Sequence, residues 1–257
     1  MSAAIRRVDR GRGHTYYIDG ERADGVTTLL GDGLAKPALI NWAANTTAAY
    51  AVDNWDDLTE LSVSERLEKL KKARYEDLDK AARRGTEVHR LAEQLVHGAE
   101  VDVPDELAGH VESYVDFLDT FEPEPILVEA VVASRKWRYC GTLDLVARID
   151  GHVWLLDVKT TRSGIFPDVA LQIAGYRWAD VYIDPAGFEQ PMEQLGITKS
   201  GAIHVRADGY DLIPLDTREP VFRDFCHVIW VARMTKRMAE WRGDAIQPPA
   251  REKGEVA

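Results

Sequence analysis

Three residues in the stretch CGTLDLVARIDGHVWLLDVKTT, residues 140–161, have types and spacing that could do chemistry: Asp144, Asp157 and Lys159. Between two apolar runs, Asp150-Gly151 is the signal for a two-residue hairpin turn, in which both central residues take a positive φ. That turn sets Ile149 against His152. Counting back along both strands then sets Asp144 directly opposite Asp157. Lys159, two residues further on, shares the face of Asp157. Carboxylates placed opposite one another destabilise a sheet. A proton on one of them, neutralisation by Lys159, or a divalent cation between them would each relieve the conflict. A solvated, salt-bridged hairpin face fits poorly, because LDLV (143–146) and WLLDV (154–158) are too apolar for an exposed strand pair. Buried charges need a strong partner, and this favours the cation.

The elements that must position these groups follow from pattern. HTYYIDGERADGVTTLL (14–30) predicts a hairpin turning on Asp19-Gly20. Apolar residues at helical spacing predict helices over 36–51 and 62–97, the second capped at Ser64. A further helix is predicted near 105–121, ended by Pro123 and Pro125. ILVEAVVA (126–133) then reads as a strand, followed by the Asp150-Gly151 hairpin and a helix near 168–182. GAIHVRA (201–207) and YDLIPL (210–215) form a second hairpin on Asp208-Gly209, and a helix near 217–242 closes the chain. The expected fold class is α/β, with helices flanking a central mixed sheet. The expected organisation is one domain over 1–242, comprising a helical N-terminal part (36–100), a core (124–215) and the C-terminal helix (217–242). Residues 243–257 read as a flexible tail. Gly11-Arg12-Gly13 lacks the preceding strand and the third glycine of a dinucleotide fingerprint.

Composition narrows the function. Among 257 residues, 43 are acidic and 32 basic, a formal net charge of −11, and 45% are hydrophobic. This is a globular chain, and its charge argues against nonspecific coating of nucleic acid. It does not exclude nucleic acid as a substrate, since a local basic groove acts within a short Debye length. The two cysteines, Cys140 and Cys226, cannot furnish the four thiolates of an iron–sulfur cluster, so none is expected. They are expected to be reduced thiols of a cytoplasmic protein. The N-terminus lacks the apolar core of a signal peptide. No run approaches the ~18 apolar residues of a membrane span.

Four patterns occur in order: Arg84-Gly85-Thr86-Glu87-Val88-His89, Gly141-x-x-Asp144, Asp157-x-Lys159 and Gln172-x-x-x-Tyr176. Together they resemble the PD-(D/E)xK nuclease superfamily, within it the RecB-type and lambda-exonuclease-like branch. Leu143 stands where the eponymous proline would be, as is usual in that branch. The resemblance implies a restriction-endonuclease-like core and metal-dependent hydrolysis of DNA phosphodiesters. The activity it suggests is an exonuclease acting on DNA ends in recombination, repair or phage DNA processing, in the host cytoplasm if phage-encoded. A flap-type endonuclease is the alternative on the same fold, and a non-catalytic DNA-binding subunit is a third reading. The implied cofactor is Mg2+ or Mn2+, and the implied partners are DNA and a recombinase or single-strand-binding protein.

Residue by residue, the resemblance implies Asp144, Asp157, His89 and the Val158 carbonyl as metal ligands, with Lys159 acting on the attacking water or the developing charge. Gln172 and Tyr176 would line the DNA groove. Glu129, in the strand before the hairpin, would assist the metal shell, and Arg83 and Arg84 would contact phosphate. Helix geometry adds that Gly85 and His89, four apart, share a face, so that glycine would let the helix approach the sheet closely. His14, His97, His110, His152, His204 and His227 show no partner pattern and receive no role.

Overall fold

The computed structural model describes residues 4–11 and 13–246. Arg12 of the Gly11-Arg12-Gly13 stretch lies outside the described residues, as do 247–257 of the expected tail.

An N-terminal meander comes first: β1 (Ile5–Arg10), β2 (Gly13–Ile18) and β3 (Glu21–Gly25). Helices α1 (Val26–Gly33), α2 (Pro37–Asp53), the short α3 (Trp55–Thr59) and α4 (Val63–Val96) follow, then α5 (Ala108–Phe121). The central strands are β4 (Glu124–Ser134), β5 (Tyr139–Ile149) and β6 (His152–Lys159). After α6 (Asp168–Arg177) come β7 (Val181–Ile183), β8 (Glu189–Pro191), β9 (Lys199–Arg206) and β10 (Gly209–Pro214), and α7 (Glu219–Arg237) ends the fold. The fold is thus α/β, a mixed, curled sheet flanked by helices. One apolar core joins the sheet to α1, α6 and α7 through Leu29, Leu143, Ile173 and Phe225. A second joins it to α4 and α5 through Ala92, Tyr114, Phe117, Leu145 and Val158.

Several expectations are met in detail. Asp150 and Gly151 both have positive φ (48° and 73°), as do Asp19 and Gly20 (52° and 85°), so each pair is a primed turn. The β5–β6 ladder runs Ile149↔His152 through Leu145↔Leu156, in the register read from the turn. Other expectations are corrected. The 14–30 segment is a hairpin only to Gly25, after which the chain becomes α1, and β1 pairs along β2 as an unforeseen third strand. The cap of α4 is Ser62, not Ser64. Ser62 Oγ accepts from the Glu65 N–H while the Glu65 carboxylate accepts from the Ser62 N–H, a box that needs an acid three residues on. The second hairpin turns on Ala207-Asp208, since Gly209 already pairs with Arg206. The helix expected near 168–182 stops at Arg177. The Asp180 carboxylate accepts the Arg135 and Lys136 N–H groups and draws the chain away into β7.

What places the site is a fork in the sheet. β4 runs along one edge of β5. On the other edge, β3 pairs parallel with β5 only at Tyr139 and Cys140, and β6 pairs antiparallel only from Leu145 onward. Between them, residues 141–144 of β5 have no ladder neighbour on that side. Side chains close the gap. Tyr16 from β2 shares a 2.8 Å hydrogen bond with Thr142, and Tyr176 from α6 lies over Gly141. A Cβ at Gly141 would stand 2.4 Å from the Tyr176 ring, so only glycine admits the ring at this point. Gly141→Ala must displace α6. The expected cost is about 1–3 kcal/mol of unfolding free energy, together with a defect at Asp157, which α6 holds through Gln172. Denaturant unfolding checks this: a wild-type midpoint for Gly141→Ala would show that the ring moves aside freely.

Candidate metal centre

At the fork, three side chains from three elements converge. His89 on α4 points Nδ1 at Asp144 Oδ2 across 3.4 Å and at Glu129 Oε1 across 4.0 Å. A donor atom from each of His89, Glu129 and Asp144 lies within 4.8 Å of the other two. Donors that share one cation at ~2.0–2.6 Å must lie about 3–5 Å from one another, so the set fits an ion with little adjustment. With Tyr114, Val158 and one face of α4 they line a cleft with room for one water-sized body, about 10 Å³. Imidazole with two carboxylates suits a divalent first-row ion or Mg2+, and the donor set alone does not choose between Mg2+ and Mn2+.

The backbone bends to build this cluster. Val128 pairs with Leu145 and Ala130 with Leu143, which leaves Glu129 facing Asp144 across the β4–β5 ladder. Glu129 has φ +47°, a left-handed conformation inside a strand that an ordinary residue adopts only against steric cost. Face alternation reverses here on both strands. Leu127, Ala130 and Leu143 belong to the core under α6 and α7, while Val128 and Leu145 are packed with the core under α4 and α5.

Asp157 and Lys159 form the other half of the site. Asp157 is buried, at 1% exposure. Its Oδ2 faces the Lys159 ammonium in an ion pair, and its Oδ1 accepts from Gln172 Nε2 at 2.9 Å. Gln172 Nε2 also donates to the Tyr176 hydroxyl at 3.1 Å. The expected direct opposition of Asp144 and Asp157 stops one rung short. Ladder pairing ends at Leu145↔Leu156, and Asp144 Oδ2 instead accepts the Val158 N–H at 2.7 Å. Parting the strands and putting a peptide N–H on one carboxylate relieves the like-charge conflict that strict pairing would impose.

The charges sort themselves accordingly. The Asp144 carboxylate raises the His89 pKa from 6.5 to about 9, against the opposing effect of burial. Burial would raise Asp144, but His89, Lys159 and the Val158 N–H outweigh it and hold the carboxyl below its ordinary value. Burial raises Asp157 to about 6, with Lys159 opposing and Asp144 reinforcing. Burial, then the Asp144 charge, lifts Glu129 to about 7. Burial works against the Lys159 ammonium, yet Asp157 and Asp144 overcome it and keep Lys159 protonated.

Of the residues singled out from sequence, His89, Asp144 and Glu129 share one cluster, and Asp157 and Lys159 sit beside it as a pair. Val158 lines the cleft. Gln172 holds Asp157. Tyr176 is corrected: at 3% exposure it is packed into the sheet and cannot form the wall of a groove. Arg83 is exposed on α4, in an ion pair with Asp79. Arg84 is half-buried, next to Gly85, which faces Thr160 just past β6. The close approach expected at Gly85 is real but mild. A Cβ there would meet Thr160 Oγ1 at 3.5 Å, an ordinary contact. Sequence reading missed Tyr114, and it gave Glu129 too small a part. Its part shows only in the β4–β5 ladder, which sets Glu129 opposite Asp144.

No family model matches the chain, and no curated protein matches it. Among solved structures it is similar to one described as "Crystal structure of SSO0001", over 62% of this chain and 70% of that one, with 14% identity and a TM-score of 0.30. A likeness that distant carries no statement about fold or function. Among the described residues, no helix is long and apolar enough to cross a membrane.

Two outcomes are expected. The first concerns pH. His89, raised to about 9, stabilises the metal-free fold below pH 6.5, and that contribution is lost as pH rises through 9. Glu129 and Asp157 are acids held protonated, so their contribution is present below their ordinary 4.5 and 3.8 and is lost as pH rises through about 7 and about 6. Asp144 runs the other way but only at acid pH, since its depressed value lies below 3.8. The metal-free protein should therefore melt lower at about pH 8.5 than at about pH 6, and Mn2+ should raise the melting temperature more at the higher pH, where fewer protons compete. Equal Mn2+ shifts at both pH values would exclude His89 as a ligand. The second concerns strain. In chelator, Glu129→Gly should be more stable than Glu129→Ala by about 1 kcal/mol, because both remove the carboxylate and only glycine is at ease at φ +47°. Urea midpoints compare the pair directly.

Proposed function

We propose that this chain is a divalent-metal-dependent deoxyribonuclease with a restriction-endonuclease-like core, acting as an exonuclease on DNA ends. The observation that carries the reading is the meeting of His89, Glu129 and Asp144 with the Asp157–Lys159 pair at one fork of the sheet. Two acids and a histidine that gather around a cleft of ionic size, beside a lysine kept charged in a nearly dry site, suit phosphodiester hydrolysis better than any use the sheet itself has for them. A divalent cation held by His89, Glu129 and Asp144 would withdraw charge from a phosphoryl oxygen and acidify a bound water.

The chain's own residues supply the rest. Asp144 stays ionised because His89, Lys159 and the Val158 N–H stabilise its charge. Gln172 fixes the Asp157 carboxylate, and Asp157 in turn fixes the Lys159 ammonium at the end of β6. Lys159 is thereby preorganised to meet negative charge as it develops on the phosphoryl group or the attacking water, which is where electrostatic catalysis acts. The buried Tyr176 and Gly141 contact positions this set without touching substrate. Mg2+ or Mn2+ is the proposed ion and DNA the proposed substrate.

The test is digestion of 5′-labelled and 3′-labelled single- and double-stranded DNA with Mg2+, Mn2+ or chelator. Degradation of linear DNA and not of covalently closed circles is the expected result. Cleavage at flaps or in circles would move the reading to an endonuclease, and full activity in excess chelator would overturn it. Lys159→Ala should lower the single-turnover rate by orders of magnitude and leave DNA affinity within a few-fold, because Lys159 acts on the transition state. An unchanged single-turnover rate with lost affinity would reassign Lys159 to binding.

A further inference from the structure

Beyond the cleft lies a second group of polar side chains with no internal use. Arg84 on α4 and His110 in the first turn of α5 each bury a nitrogen, Nε and Nδ1, that has no hydrogen-bond partner among the described residues. Buried donors and acceptors left unpaired are costly, so each such group calls for a reason. Arg162 sits on the loop after β6, and that loop is held firmly. The Thr161 hydroxyl donates to the Gly164 carbonyl at 2.6 Å, and His204 Nε2 lies 2.7 Å from the Thr161 carbonyl oxygen. Gly85, next to Arg84, faces Thr160, so α4 and this loop lie side by side. His110 is sensitive to both guanidiniums: burial lowers its pKa first, then the charges of Arg84 and Arg162.

Arg84 and Arg162 are cations in a chain of net charge −11. Other arginines of α4 are engaged, Arg83 by Asp79 and Arg90 by Glu87. Neither Arg84 nor Arg162 has a carboxylate partner among the described residues. Their place is equally telling. Arg162 follows Lys159 by three residues, a span of at most ~10 Å, and Arg84 precedes His89 by five on the same helix. Successive phosphates of one strand, about 3.4 Å apart along a duplex axis, would put a neighbouring phosphate within that reach.

We propose that Arg84, His110 and Arg162 form a subsite for a phosphate group, and that, in the nuclease reading on which this rests, the group it takes is a DNA phosphate neighbouring the one being cut. Paired guanidiniums match phosphate oxygens in charge and geometry, and a phosphate would supply acceptors to the stranded N–H groups.

The test separates the two statements by working without metal. In chelator, anisotropy of labelled duplex DNA is measured against salt for the wild type, Arg162→Gln, Arg84→Gln, the double variant and Arg148→Gln. Arg148 pairs with Glu124 at the far end of β5 and loses the same charge at a remote place. Loss of one phosphate contact should lower the slope of log affinity against log salt by about 0.9 for the double variant, with Arg148→Gln at the wild-type slope. Mn2+ affinity by calorimetry should stay within about twofold of wild type in every variant. Wild-type DNA affinity and slope in the double variant would overturn the subsite. If the wild type binds no DNA, the nuclease reading fails by itself, and inorganic phosphate then decides the subsite. Saturable phosphate binding that Arg162→Gln abolishes upholds it, and absence of that binding in the wild type overturns it.

Discussion

Three carboxylates in a nearly dry sheet are the constraint on which the rest of this structure depends. Glu129 faces Asp144 across one ladder, and Asp157 would face Asp144 across the other. In a low-dielectric setting such neighbours repel strongly, and the fold responds at every level. The β5–β6 ladder stops before Asp144 meets Asp157. A peptide N–H turns onto Asp144. Glu129 is driven into a left-handed backbone conformation. Two cations are brought in, His89 from a helix 55 residues upstream of Asp144 and Lys159 from the same hairpin. The fork between β3 and β6 is thus where the sheet accommodates charge that regular pairing could not hold.

Holding that arrangement takes scaffolding that does no chemistry. The 34-residue α4 begins at a capping box and buries Val88, Leu91 and Ala92 on either side of His89, so the imidazole has little freedom to swing away. The Tyr139 hydroxyl donates to the Gly175 carbonyl at 2.6 Å and ties α6 to β5, while the Tyr176 ring fills the space left by Gly141. With α6 fixed at these two points, Gln172 reaches Asp157. His204 extends the same logic to the far end of β6 by pinning the segment that follows Lys159.

Much of this was legible in sequence, and the parts that were not have physical reasons. Asp-Gly turns announce their φ angles, so the hairpin register followed from residues 150 and 151 alone. Helical periodicity located α2, α4, α5 and α7 to within a few residues. The end of α6 was hidden, because the cause is tertiary: Asp180 bonds to N–H groups 44 and 45 residues away, and no local breaker marks the stop. Asp144, Asp157, Lys159 and His89 stood out because charged or ligating residues interrupt apolar patterns. Glu129 was harder to weigh, since a glutamate in a strand is ordinarily an exposed one, and only β4–β5 pairing reveals what it faces. Arg162 and His110 carried no signal, because their isolation from carboxylates exists only in three dimensions.

The pKa pattern shows how one small site can hold acids of different character. Asp144, with a peptide N–H and two cations, is kept ionised. Glu129 has the same burial problem and less help, so it rests near neutrality at about 7, and Asp157 lies between them at about 6. Environments that push like groups apart in this way are typical of sites where charge must change during function. The same reasoning sets the scale of any encounter with a polyanion. A net charge of −11 repels DNA at long range, yet at physiological salt that repulsion is screened beyond ~8 Å. Attraction must then be local; Arg162 follows Lys159 by three residues, and Gly85, next to Arg84, faces Thr160 at the end of β6. Arg84 and Arg162 can serve a phosphate backbone there because neither is neutralised by a carboxylate among the described residues, whereas Arg83 and Arg90 on the same helix are paired with Asp79 and Glu87.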